Sequence, residues 1–228
     1  MKLDVYFVDA FTDKVFSGNP AAVIFTDIDD ENLMQKIAFE NNLSETAFVN
    51  TSQETNYIRW FSPIKEVDLC GHATLASAYI YFNYINKDED KVSFMSASGE
   101  LSVRKTDDLY ELDFPKDNLK KIDMTDQVED CIGVKPIETF IGDINLFALL
   151  DNEETLKTLK PNFSKLINLE GQGLIVSSQS NEYDFVSRYF CPKFGINEDP
   201  VTGSAHTTLI PYWADKLNSS EMTAKQVS

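Results

Sequence analysis

Three stretches of this chain carry residues able to do acid–base or nucleophilic chemistry. In Leu43-Ser44-Glu45-Thr46-Ala47-Phe48-Val49, read as a strand, alternate side chains share a face, so Glu45 lies with Leu43, Ala47 and Val49. A carboxylate on that apolar face loses hydration, which raises its pKa toward neutrality and fits it for general acid/base work. On an edge strand the same side chain would simply reach water. Cys70-Gly71-His72 stands at the start of a run read as a buried helix. Glycine there lets a ligand approach the backbone, and the helix N-terminus favours negative charge. Cys70 could be an activated thiol or a small buried hydrophobe, and His72 a proton donor or a satisfied first-turn histidine. The third stretch is Asp199-Pro200-Val201-Thr202-Gly203-Ser204. An N-cap followed by proline accounts for Asp199 and Pro200, but not for the way Gly203-Ser204 repeats Gly71-His72. His206, one turn later, reads as structural.

The elements that must position these residues also repeat. Arg59-Trp60-Phe61-Ser62-Pro63 is echoed by Arg188-Tyr189-Phe190-Cys191-Pro192 at an offset of 129 (188 − 59), and Cys70-Gly71-His72-Ala73 by Thr202-Gly203-Ser204-Ala205 at 132 (202 − 70). Three inserted residues account for the difference. A repeated strand–loop–Gly–helix unit predicts two similar lobes, here 1–115 and 116–228, with the two helix starts facing one cleft and their N–H groups forming an anion site. In the first lobe, strands are expected near Leu3–Phe11, Ala21–Phe25, Leu43–Val49, Tyr57–Ser62, Lys91–Ala97, Glu100–Lys105 and Leu109–Phe114. A helix capped by Asp29 or Asp30 and a second, Cys70–Tyr84, apolar all round, complete it. Pro115–Lys121 reads as a linker. The second lobe reads as strands near Ile137–Ile141, Leu146–Leu150, Gly173–Ser178 and Tyr183–Tyr189, a helix near Asn152–Leu159, and a buried helix Thr202–Trp213 ended or kinked by Pro211. The fold class is α+β: two pseudo-symmetric lobes, each a curved antiparallel sheet or barrel wrapped around a central helix. The end, Lys216–Ser228, reads as polar and poorly packed, which would leave Leu209 and Tyr212 under-covered.

Composition excludes whole classes. A net charge of −17 in 228 residues leaves no basic footprint for nucleic acid. It also means that an anionic substrate must be held by local donors. Cys70, Cys131 and Cys191 are too few and too far apart for a disulfide framework or a zinc motif, and no cluster with metal-ligand spacing is visible. No run approaches the ~20 apolar residues of a membrane span, and Met1-Lys2-Leu3-Asp4 does not open a signal peptide. A cytoplasmic setting is expected. Gly-rich dinucleotide or phosphate loops and the Gly-x-Ser-x-Gly pattern are absent.

Read together, Asp9-Ala10-Phe11-Thr12, Gly18-Asn19-Pro20-Ala21-Ala22-Val23, Asn42-Leu43-Ser44-Glu45-Thr46-Ala47-Phe48, Arg59-Trp60-Phe61-Ser62-Pro63, Leu69-Cys70-Gly71-His72-Ala73-Thr74-Leu75-Ala76 and Glu198-Asp199-Pro200-Val201-Thr202-Gly203-Ser204-Ala205-His206 resemble the PhzF-like isomerases of phenazine biosynthesis, which are similar in fold to diaminopimelate epimerase. The resemblance implies a cofactor-free isomerase that moves a proton on a small carboxylate-bearing metabolite, at a site between the lobes, with no metal and in a homodimer. It places the proton-shuttling glutamate on Glu45, the assisting histidine on His72, and the aspartate and serine on Asp199 and Ser204. Asn19, Ser44, Gly71 and Gly203 fall on positions near the substrate.

The epimerase relatives use a cysteine at each helix start, whereas this chain has Cys70 and Thr202. Two-thiol epimerisation is therefore disfavoured. An amino-acid racemase or epimerase working through Cys70, and a small-molecule-binding protein that keeps the fold without turnover, stand as alternatives. Family members usually continue beyond the equivalent of Ser228, so the last strands of the second lobe are expected to be missing.

Overall fold

Each parallel strand pair in this protein is bridged by a crossover that contains a helix, and those crossovers set the topology of both halves. The computed structural model describes residues 2–14 and 16–228, and the chain divides into two compact units, Met1–Phe114 and Pro115–Ser228.

The first unit runs β1 (Tyr6–Ala10), β2 (Asn19–Phe25), α1 (Glu31–Asn41), β3 (Glu45–Asn50), β4 (Tyr57–Phe61), β5 (Glu66–Val67), α2 (Gly71–Ile80), β6 (Lys91–Ser96), β7 (Gly99–Thr106) and β8 (Leu109–Asp113). Its sheet has the order β1-β2-β3-β4-β6-β7-β8, with β5 on β4. The sheet is mixed: β2–β3 and β4–β6 are parallel. Parallel neighbours need a long crossover, and these two crossovers contain α1 and α2. The β4–β6 pairing is a single bridge, Tyr57 with Met95.

Asp30 caps α1 by accepting from the Leu33 N–H at 3.2 Å, and Asn42 closes it in the left-handed conformation. Met34 and Ala38 of α1 pack on Ile24, Phe48 and Phe61. On the other face, α2 packs against β1, β2, β3 and β8 and is buried at Gly71–Thr74, Ala76–Ala78 and Ile80. A π turn, Tyr81–Ile85, extends it, with the Asn86 N–H on the Tyr81 carbonyl at 2.8 Å. Gly18, at φ +74°, lies where a β-carbon would fall 2.1 Å from the Ala10 carbonyl oxygen. Only glycine fits there, and it delivers Asn19 into β2.

The second unit runs β9 (Lys120–Ile122), α3 (Thr125–Ile132), β10 (Glu138–Ile141), β11 (Leu146–Leu149), α4 (Glu153–Lys157), α5 (Phe163–Leu166), β12 (Leu174–Gln179), β13 (Phe185–Phe190), β14 (Glu198–Asp199), α6 (His206–Leu217) and β15 (Ala224–Gln226). The order is β14-β13-β12-β11-β10-β9, with β15 also on β13. Here β11–β12 and β13–β15 are the parallel pairs. Strands β10 to β15 therefore repeat the connectivity of β1 to β6, with α6 in the place of α2. Both faces of this sheet are covered, and its central strand β11, Leu146-Phe147-Ala148-Leu149, reads as an unbroken apolar run. Leu146 and Ala148 join Val128, Leu156 and Leu166 beneath α3–α5, while Phe147 and Leu149 join Leu209 and Trp213 of α6.

Several sequence expectations are corrected here. The linker read at Pro115–Lys121 is built into the second unit: Lys120 opens β9, and Asp117 is buried. The Asp117 carboxylate accepts from the Asp143 N–H at 2.8 Å and the Thr208 hydroxyl at 2.5 Å. Pro211 neither ends nor breaks the helix, which begins at His206 and continues to Leu217. Proline leaves the carbonyl four residues back without its helical partner, and that carbonyl, of Thr207, takes the Asp117 N–H at 3.2 Å. The tail read as poorly packed forms the end of α6 and the strand β15. Leu209 is fully buried, Trp213 stacks on Phe185 with ring centroids 5.5 Å apart, and Tyr212 packs edge-on against Phe147 at 4.8 Å. Unit 2 shows no counterparts of β7 and β8 among the described residues.

Candidate active site

The strand period that orients Glu45 is confirmed by its neighbours. Thr46 and Phe48 turn toward α1: the Asn41 amide donates to the Thr46 hydroxyl at 3.1 Å, and Phe48 sits in the α1 cluster. Glu45, Ala47 and Val49 are left on the face that meets α2. Strand β3 begins at Glu45 itself; Leu43 and Ser44, expected in the strand, form the bend before it.

In the first unit, Glu45, His72 and Asn19 converge with Cys70. The Glu45 carboxylate oxygen Oε2 lies 3.4 Å from His72 Nε2, with side chains 15% and 5% exposed. The other ring nitrogen, Nδ1, faces the Asn19 amide nitrogen at 3.4 Å and Cys70 Sγ at 3.5 Å. Nε2, the ring nitrogen toward Glu45, is buried and makes no hydrogen bond of good geometry among the described residues. Burial lowers the His72 pKa to about 4, so the imidazole is neutral at pH 7. Gly71 is the first residue of α2, where backbone N–H groups have no intrahelical partner. The absence of a metal-ligand cluster expected from spacing is corrected by the fold: Glu45, Cys70 and His72 each offer a ligand atom within 4.8 Å of the others. Linear spacing hid this because Glu45 comes from a different element. A separate pocket of about 440 Å³ opens between β4–β5 and β6, lined by Trp60, Arg59, Glu66 and Met95, and contains none of these site residues.

In the second unit, Asp199 is buried at the end of β14 and accepts the Thr202 hydroxyl. Gly203 and Ser204 lie in a tight turn ahead of α6, their carbonyls accepting the N–H groups of His206 and Thr207 at 3.0 and 3.2 Å. This start is tighter than that of α2, so the repeat at the two helix starts is one of sequence more than of backbone. The His206 ring contacts the Thr202 carbonyl at 3.0 Å, and burial lowers its pKa, in keeping with a structural role. Gln226 of β15, which the sequence did not single out, holds the turn. Its amide accepts the Thr202 N–H at 2.8 Å and donates to the Asp199 carbonyl at 2.6 Å.

The repeated arginines are scaffold. Arg59 grips Glu66 with two hydrogen bonds of 2.7 Å, and Arg188 grips Glu198 at 2.7 and 2.8 Å. Each also lies over the phenylalanine two residues on, at 5.2 Å for Phe61 and 4.9 Å for Phe190. Glu66 and Glu198 share the offset of the helix starts (198 − 66), so the three inserted residues fall between Pro192 and Glu198. Each clamp fixes the strand that leads into a helix start.

Comparison with known proteins agrees with this frame. Residues 8–228 match the family model described as phenazine biosynthesis-like protein. An uncharacterized isomerase of Pseudomonas aeruginosa is 45% identical over 230 residues, covering all of this chain and 88% of its own length. The human phenazine biosynthesis-like domain-containing protein is 41% identical over 257 residues, with 100% and 89% covered. A crystal structure of a PhzF-family phenazine biosynthesis protein from Enterococcus faecalis superposes with a TM-score of 0.93 at 47% identity, covering 100% of this chain and 88% of that one. A predicted epimerase from Pseudomonas aeruginosa, at 17% identity and a TM-score of 0.77, shares the fold.

Proposed function

This chain belongs to the phenazine biosynthesis-like (PhzC-PhzF) family and is an isomerase of that family, and from that premise we propose that it moves a proton on a small carboxylate-bearing metabolite with Glu45 as the acid/base. The observation that carries the reading is the pairing of Glu45 Oε2 with the buried, neutral His72 Nε2 at 3.4 Å. Glu45 as carboxylate removes a proton from carbon, becomes the carboxylic acid, and returns the proton elsewhere on the same face. His72 donates its Nε2–H toward Glu45 when that group is ionised and orients it. A neutral imidazole serves here because it donates without adding a full charge to the site.

The substrate's charge would be held by N–H groups at Gly71, where α2 starts, and at Gly203, in the turn ahead of α6, with Asn19, Ser44 and Ser204 as hydrogen-bonding neighbours and Asp199 orienting the substrate. Those roles come from the family resemblance. Neither metal nor organic cofactor takes part in this scheme, and a cytoplasmic homodimer is the expected setting. Among the described residues no helix is long and apolar enough to cross a membrane.

Incubation with a metabolite pool in D₂O, followed by mass spectrometry, tests the reading, since a solvent-exchanging isomerase labels its own substrate. Glu45→Gln keeps size but cannot carry the proton, and is expected to lose at least ~10²-fold in turnover with folding intact. Near-normal labelling by that variant would exclude the role. The approach of Cys70 Sγ to His72 Nδ1 at 3.5 Å favours one alternative, a one-base racemase working through the thiol. Loss of activity in Cys70→Ala with retention in Glu45→Gln would select it.

A further inference from the structure

Cys70 has no part in the acid–base scheme, yet its sulfur is buried beside the two groups that do. We propose that Glu45, Cys70 and His72 form a Zn²⁺ site, at which the ion reversibly blocks the isomerase. The donor set is one thiolate sulfur, one imidazole nitrogen and one carboxylate oxygen. Three such ligands with a fourth position left to water is a set that zinc accepts. The spacing fits as well. Cys70 Sγ and His72 Nδ1 are 3.5 Å apart, and two ligands on a tetrahedral zinc, with bonds of ~2.3 and ~2.0 Å, sit roughly 3.5 Å from each other. Each residue's ligand atom already lies within 4.8 Å of the others, so closing the set takes side-chain adjustment only.

On binding, the Cys70 thiol gives its proton to solvent and its sulfur lone pair to the metal, and Glu45 gives a carboxylate lone pair. No oxidation state changes. A Glu45 lone pair engaged by zinc is not available to a C–H proton, so occupancy and turnover exclude each other. Mg²⁺ and Ca²⁺ prefer six or more oxygen ligands and gain nothing from the sulfur and nitrogen. The inhibitory half of this inference rests on the proposed role of Glu45; the binding half does not.

The test uses the full chain, freed of metal by a chelator, with Co²⁺ as spectroscopic probe and Zn²⁺ measured by competition with a chromophoric chelator. One equivalent is expected to bind, with release of about one proton and a sulfur-to-cobalt charge-transfer band in the near ultraviolet. Cys70→Ser should abolish that band, and Cys70→Ser and Glu45→Gln should each weaken Zn²⁺ binding at least ~10-fold. Glu45→Gln is isosteric and guards against a folding artefact, which thermal melts of each variant would reveal. Absence of stoichiometric binding, a cobalt spectrum without thiolate character, or affinity unchanged in both variants would overturn the site. Solvent-deuterium labelling should fall as Zn²⁺ is added and recover with chelator. Tight zinc binding with undiminished labelling would overturn the blocking role and the assignment of Glu45 as base, while leaving the metal site standing.

Discussion

His72 has an imidazole that the folded protein keeps neutral, and this ties stability to acid. Its pKa is about 4 in the fold against 6.5 in an unfolded chain. Above pH 6.5 neither state is protonated, and the fold loses nothing. As pH drops from 6.5 toward 4 the unfolded chain takes up a proton that the folded one refuses, and stability declines by up to about 3 kcal/mol. His206, lowered by burial too, acts in the same direction. His72→Gln is therefore expected to show a flatter urea midpoint between pH 6.5 and 4 than the parent; identical slopes would mean that His72 is solvated. Much of this corner was legible in the sequence. The strand period put Glu45 on the face of Ala47 and Val49, and Gly71 marked where a helix starts. The approach of Asn19 to the Glu45–His72 pair was not legible. It depends on the parallel register of β2 against β3, with Ala21 beside Glu45, and a register is a property of the assembled sheet.

The two arginine clamps look alike in sequence but differ in what surrounds them. The Arg59 side chain is 29% exposed and also meets Asp29 and Glu31 at the surface. Arg188 is 11% exposed and, beyond Glu198, donates to the carbonyls of Leu156 and Leu159 at 3.1 Å, which close the end of α4. Lysine has no planar fork to serve all of these acceptors. Arg188→Lys would strand buried carbonyls and a carboxylate, at a cost of about 2–4 kcal/mol, whereas Arg59→Lys should cost about 1 kcal/mol or less because water replaces the lost bonds. Equal losses in chemical denaturation would contradict this. The longer strands and the two buried helices were readable because their apolar runs are long; the short strands β5, β9 and β14 were not. Helix α3, with Asp126, Gln127, Glu129 and Asp130 among eight residues, and β15, Ala224-Lys225-Gln226, were not. The first is made by packing of Val128, Cys131 and Ile132, the second by the open edge of β13 and the hold of Gln226 on the Asp199–Thr202 turn.

At the scale of the whole molecule, a charge of −17 repels itself and any anion it must bind. Raising ionic strength to about 0.15 M, where the Debye length is ~8 Å, should raise the urea midpoint and also kcat/KM for a carboxylate substrate. A fall in kcat/KM with salt would reveal local cationic steering instead. The lone bridge between β4 and β6 has a different consequence. Across it, Tyr57–Met95, the Met95 N–H on the Asn56 carbonyl at 2.8 Å, the Asn56 side-chain amide on the Ser93 carbonyl at 3.2 Å and the Ser98 hydroxyl on the Asp68 carbonyl at 2.7 Å join the β1–β5 part of the sheet to the β6–β8 meander. The meander is knit within itself by the full β6–β7 and β7–β8 ladders. Native-state hydrogen exchange of the first unit should then resolve two cooperative blocks, with amides of Lys91–Asp113 opening together and at a lower free energy than those of β2 and β3. The seam is thus a line of separate unfolding, along which limited proteolysis would cut the sheet in two before either part melts.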